Sequence, residues 1–210
     1  MSIINNNFFV IDYFPDGAGR PYSMDKVWSP ELPGYDIYTA PPNLDDFSDR
    51  YSVRIKTFKL DGDYFPDDNL ISGEMFNLVN DLSVRFISFP VAIDIHRGRV
   101  PSKAYYLFYL TNYLSLMDGA GSVYTISRDL DSGRLNTPED RCLDKVYYEK
   151  IDFFKTRDDV SDNLFFCKEI SKPVCSVFFK EEFEARGLSG VTFIPIDDSY
   201  RYDPWSNFCS

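Results

Sequence analysis

Residues Pro173 to Pro195 read PVCSVFFKEEFEARGLSGVTFIP, and this stretch decides the fold because it spells a strand, a helix and a second strand in succession. Ser176 suits a helix N-cap, since its hydroxyl can accept one of the N–H groups that a first turn leaves unpaired. Phe179 and Phe183 fall four apart on one helical face. Gly187 stands where a left-handed residue closes a helix, and Leu188 can fold back onto Phe183, so the helix is expected to stop at Arg186. After Ser189 and Gly190, the run Val191-Thr192-Phe193-Ile194 is β-branched and aromatic, and Pro195 ends its ladder by lacking an N–H. Nothing in the unit is chemically reactive.

Outward from it, a second helix is expected after Ser72. Ile71 and Phe76 can staple its entry, and Met75, Val79 and Leu82 share a face. Ile3 to Phe14 reads as a first strand, with the buried-type run Phe8-Phe9-Val10-Ile11, ending at the turn Pro15-Asp16-Gly17. Pro21, Pro30, Pro33, Pro41 and Pro42 then interrupt regular ladders, which makes residues 1–60 an irregular N-terminal lobe. Trp28, Tyr35, Ile37 and Tyr38 predict that this lobe packs on the core. Tyr51 to Leu60 alternates Val53, Ile55 and Phe58 against Arg54 and Lys56, and Asp61-Gly62-Asp63 turns it.

Phe86 to Ile95 reads as an apolar strand broken at Pro90, and Ala104 to Leu110 as the strongest buried strand. Further strands are expected at Ser122 to Ile126, Lys145 to Phe154, Asn163 to Ile170 and Val174 to Phe178. About eight strands stand against two or three short helices. With so few helices to serve as crossovers, neighbouring strands must be mostly antiparallel. The fold class is therefore α+β, mostly antiparallel sheet, in a single domain over residues 1–210. No internal repeat suggests a solenoid.

The 210 residues carry a net charge of −11, and 15 Tyr, 19 Phe and 2 Trp make the chain rich in aromatics. An acidic chain lacks the basic footprint that nucleic acid or an anionic membrane requires, so neither is expected as a partner. It is instead predisposed to meet a basic protein surface quickly. The first residues lack a secretory signal's charged and apolar regions, and no run reaches the roughly 18 apolar residues of a membrane helix, so cytoplasmic residence is expected. Cys142, Cys167, Cys175 and Cys209 show no CxxC spacing and are expected to be reduced, structural thiols.

No catalytic constellation is legible. On a strand, Asp94 and His96 would share a face and could form an acid–base pair; the plainer reading is an ion-paired histidine at a strand end. One histidine and scattered cysteines do not assemble a zinc site. Asp61-Gly62-Asp63 opens like a calcium loop, but Phe65 stands at position five and Ser72 at position twelve, where a bidentate Glu is needed. Gly17-Ala18-Gly19 and Gly119-Ala120-Gly121 precede no capped helix, so neither cradles phosphate. No enzyme activity, metal or cofactor is expected.

Acidic clusters at Asp158, Asp159 and Asp162, at Asp67-Asp68, and at Asp197-Asp198 with Asp203 are either solvated loop charges or a partner-facing surface. Tyr64 and Phe65 precede Asp67 and Asp68, and Tyr200, Tyr202 and Trp205 stand among Asp197, Asp198 and Asp203. Aromatics beside acids are frequent hot spots, so these ten residues are the candidate partner-binding set. The alternative is that the aromatics are core residues whose acidic neighbours keep the surface soluble.

Four motifs carry a family resemblance: the helix entry Leu70-Ile71-Ser72-Gly73-Glu74-Met75-Phe76, the strand Tyr105-Tyr106-Leu107, the strand Asn163-Leu164-Phe165-Phe166, and the unit from Ser176 to Pro195. In their order they resemble immunity protein family eleven of bacterial polymorphic-toxin systems, over about Tyr64 to Ile196. The resemblance implies a small cytosolic protein, encoded beside a toxin, that binds and neutralises the toxin's effector domain. It carries over no catalytic motif. A non-catalytic adaptor for a different protein target is the alternative.

Overall fold

The computed structural model describes residues 8–34, 36 and 40–205. The start of the first expected strand at Ile3, the lobe residues Tyr35, Ile37 and Tyr38, and Cys209 lie outside the described residues. Among the described residues there are thirteen strands and three α-helices. The first half holds β1 (Phe8–Tyr13), β2 (Lys26–Ser29), β3 (Tyr51–Ile55), β4 (Tyr64–Phe65), β5 (Leu70–Ser72), α1 (Gly73–Asp81), β6 (Phe86–Asp94) and β7 (Tyr105–Leu110). The second holds β8 (Tyr113–Leu114), β9 (Val123–Ile126), α2 (Pro138–Arg141), β10 (Tyr148–Phe153), β11 (Leu164–Cys167), β12 (Lys172–Ser176), α3 (Val177–Ala185) and β13 (Val191–Pro195).

They form a five-stranded sheet ordered β13-β1-β12-β11-β8, a six-stranded sheet ordered β2-β3-β6-β7-β5-β4, and the pair β9-β10. Among the described strands, only β3 with β6 and β8 with β11 run parallel. The chain is a single α+β domain of mostly antiparallel sheets.

The central strands of both large sheets are covered on both faces. Along β11, Leu164 and Phe166 enter one apolar cluster while Phe165 and Cys167 enter another. Along β7, Tyr106, Phe108 and Leu110 face the first cluster, and Tyr105, Leu107 and Tyr109 face a third. Strand side chains alternate between faces, so a strand with apolar surroundings on each side must be apolar at every position. That is why Phe-Phe-Val-Ile, Tyr-Tyr-Leu-Phe-Tyr-Leu and Leu-Phe-Phe-Cys show no polar alternation. The central cluster joins the two sheets, and both long helices bury their apolar stripes in it through Met75, Leu78, Val79, Phe179 and Phe183.

Helix α3 begins and ends as its residues require. The Ser176 hydroxyl accepts from Phe179 N–H and donates to Asn163 Oδ1. At the far end Leu188 N–H reaches the Phe183 carbonyl, Gly187 N–H reaches Glu184, and Gly187 has φ +66°. Replacing Ser176 by alanine is expected to cost about 1 kcal/mol, and Gly187→Val more, because a β-branched residue resists positive φ. Urea denaturation of both variants checks this.

Four expectations change. The N-terminal lobe is not wholly irregular, since β2 adds an edge strand to β3; Trp28 meets Tyr51 edge-on at 6.2 Å and Phe47 stacks on Phe89 at 5.0 Å. β3 ends at Ile55, so Phe58 falls outside its alternation and is 69 % exposed. β6 runs through Pro90 unbroken, because β3 pairs with it only from Val91 onward and Pro90 is exposed beyond that ladder. The strand count exceeds eight because β4, β5 and β8 are only two or three residues long, too short to show a period.

Candidate functional site

The turn from β4 to β5 is built by four residues with distinct duties. Pro66 opens a single 3₁₀ turn over Pro66–Asp68, and Asn69 closes it in the left-handed region at φ 51°, ψ 38°, which asparagine tolerates better than most residues. The turn projects Asp67 outward and sets Asp68 against Lys26 of β2 in an ion pair. Tyr64 and Phe65 before it are core residues, 2 % and 0 % exposed. Tyr64 packs edge-on against Phe108 at 5.8 Å, and Phe65 lies near Tyr105 and Tyr13. For these two aromatics the partner-facing expectation is corrected: a partner finds no surface on them, because adjacent strand residues enter the clusters on opposite sides of the sheet.

Asp67 lines a small cleft of about 140 Å³ where the two large sheets meet. Phe108 of β7, Tyr113 of β8 and Phe166 of β11 contribute aromatic walls, and Asp12 of β1 and Lys172 of β12 contribute charge. Asp12 and Lys172 pair across the ladder at 2.9 Å. Burial, then the neighbouring carboxylates of Asp12 and Asp68, push the Asp67 carboxyl above its usual range, outweighing the opposing pull of Lys172 and Lys26. Among the described residues, Asp67 has no ion-pair or hydrogen-bond partner.

The carboxy-terminal cluster borders a wider groove of about 730 Å³ that shares Ser171 and Lys172 with the cleft. Tyr200, Tyr202 and Asp203 line it opposite Ile194 and Pro195 of β13. Tyr200 packs edge-on against Phe154 at 6.0 Å, and burial pushes its phenol well above the usual range. Tyr202 exchanges backbone hydrogen bonds with Ile151 at 2.8 and 3.0 Å. Trp205 is 61 % exposed. The acids here shape turns: Asp197 accepts from the Ser199 hydroxyl and N–H at 2.6 and 2.8 Å, which hold its carboxyl below the usual range, and Asp203 accepts from Trp205 N–H. Asp198 is exposed. The structure thus brings two clusters far apart in sequence to adjacent openings on either side of Lys172.

The other chemical candidates disperse. His96 sits in a 3₁₀ turn after β6 ends, so the strand geometry that would align it with Asp94 is absent. Its ring lies 4.4 Å from that of Phe58, and among the described residues no carboxylate ion-pairs with it. The Cys167 thiol is buried and donates to Glu169 Oε2 at 3.1 Å; burial and that carboxylate push it far above its usual range, away from the reactive thiolate. Cys142 is a free thiol exposed at the end of α2. Among the described residues, no group of three or more metal-ligating side chains is placed to hold an ion, and no helix is long and apolar enough to cross a membrane.

The buried role of Asp63, expected only as a turn residue, and the place of Asp12 at the cleft are not evident from the sequence. Asp63 is 1 % exposed and accepts from the Ser72 hydroxyl at 2.7 Å, from the Lys103 ammonium at 2.6 Å, and from the N–H and hydroxyl of Ser189 at 2.9 and 3.2 Å. Asp12 carried a legible signal, a lone acid closing an otherwise apolar strand. No curated protein matches this chain. A family model described as "Immunity protein family (Imm11)" matches residues 70–198, more than half of the chain. The matched region contains the aromatic walls of the cleft and Lys172, while Asp12 and Asp67 lie before it.

Proposed function

Because the chain belongs to the Imm11 immunity protein family, we propose that it binds a cognate toxin domain in the bacterial cytoplasm and neutralises it by stoichiometric masking, without catalysis. The family match carries this reading. The net charge of −11 supports a toxin with a basic surface, since long-range attraction speeds encounter and disfavours acidic or nucleic-acid partners. The proposed contact face comprises Asp67, Asp68, Asp197, Asp198, Tyr200, Tyr202, Asp203 and Trp205. The half-buried Tyr200 and Tyr202 and the exposed Trp205 would supply rigid contact area, and the carboxylates around them would set orientation.

The test is co-expression with the toxin domain encoded beside this gene. Cells producing both proteins are expected to grow, and cells producing the toxin alone to stop. Association of the purified pair should slow by about an order of magnitude or more between low and high ionic strength, with dissociation changing less. Binding without protection would favour the adaptor reading instead.

A further inference from the structure

We propose that the cleft where the two large sheets meet is a receptor for one basic side chain, an arginine guanidinium, presented by the partner. This rests on the toxin-binding reading and deepens it by naming the chemistry the surface recognises. The two acids beside Asp67 have cations of their own: Asp12, which also lines the cleft, pairs with Lys172, and Asp68 pairs with Lys26. Asp67, set at the mouth, has none among the described residues. Asp67 stands exposed on the cleft wall beside two other acids and outside any ion pair among the described residues, and a cation delivered to the cleft would offset their mutual repulsion.

The walls suit the rest of such a side chain. Phe108, Tyr113 and Phe166 offer aromatic surface to a planar guanidinium and its alkyl stem, and Tyr113 and Phe166 lie 4.5 Å apart. Asn69 also lines the cleft, held in the left-handed conformation, and its side-chain amide makes no hydrogen bond among the described residues. A carboxylate and an amide oxygen at one mouth are acceptors that a guanidinium fork can engage together. The volume of about 140 Å³ is on the scale of a single side chain.

The probe is N-acetyl-arginine amide, with N-acetyl-norleucine amide as the uncharged control, titrated into the ¹⁵N-labelled full chain at millimolar concentration. Saturable amide shifts are expected around Asn69, Tyr113 and Lys172 with the arginine probe only. Asp67→Asn should bind it about tenfold more weakly or worse, since a charge-assisted bond is lost. The same variant should keep or raise the melting temperature, because it removes a charge that the free protein holds at a cost. An equal response to norleucine, shifts that never saturate, or a lower melting temperature in Asp67→Asn would overturn the proposal, the last because it would mean that Lys172 or Lys26 already satisfies Asp67. Protection of cells without probe binding removes the cleft receptor and leaves the toxin-binding reading; probe binding without protection does the reverse.

Discussion

Asp63→Ala is expected to destabilise the protein by about 3 kcal/mol or more, the scale for removing one partner of a buried charged network. Asp63 is the point at which three distant segments meet. One carboxylate oxygen takes the hydroxyl of Ser72, which caps α1 by accepting from Met75 N–H, and also takes Lys103. The other takes Ser189 from the turn that follows α3. Removing the carboxylate strands the Ser72 hydroxyl and the Ser189 donors, while Lys103, 26 % exposed at its side chain, can recover water. The loss should therefore sit at the lower end of the buried-pair range, and Asp63→Asn should fall between alanine and wild type. Chemical denaturation measures it, and for a chain of this size 3 kcal/mol corresponds to about 6–12 °C in Tm. A loss below about 1 kcal/mol would mean that the network contributes little to holding the segments together.

Gly190→Ala should be comparably severe, for a different reason. Gly190 has φ +112°, and a Cβ placed there would lie 2.4 Å from the Tyr64 carbonyl oxygen and 3.2 Å from the Tyr64 nitrogen. Both obstacles are backbone, so no rotamer change relieves them. The unfavourable φ costs about 1–3 kcal/mol and the overlap about 1–3 more. The close approach has a purpose, because the Ser189 carbonyl accepts from both Asp63 and Tyr64 N–H, and the Gly190 carbonyl from Phe14 N–H. The turn after α3 is thereby bound to β4 of the six-stranded sheet, while β13, which it leads into, pairs with β1 of the five-stranded one. Gly187→Ala, where nothing lies within 4 Å of the added Cβ, supplies the comparison: it should lose only the φ contribution. Equal losses at Gly187 and Gly190 would contradict the close-approach account.

These two positions mark where sequence reasoning reaches its limit. The caps of α1 and α3, the closing Gly187 and the buried strands were legible because each depends on neighbours within about five residues or on a local run of apolar side chains. The role of Asp63 was not. Asp-Gly-Asp is ordinary turn sequence, and what makes one of its acids a buried node is Ser189, 126 residues later. Tyr64 and Phe65 misled for a related reason. Their acidic followers suggest surface, but Pro66 turns the chain so sharply that two buried residues and an exposed acid occupy adjacent positions. The adjacency of the Asp67 turn and the Tyr200–Asp203 segment depends on β1 lying beside β12, a pairing between the two ends of the chain that no local pattern encodes. The family likeness was readable because its motifs are caps, turns and core positions, and the matched residues 70–198 contain α1, α3 and the strands between and after them.

The most direct test of the central claim is a titration of the purified cognate toxin domain's activity with this protein, at toxin concentrations well above the dissociation constant. The masking account predicts a linear fall that reaches background at one equivalent and does not depend on incubation time. Toxin activity that persists at several-fold excess, or that keeps declining with time at a small fraction of an equivalent, would contradict it: the first by showing that no masking occurs, the second by showing that the protein acts as a catalyst.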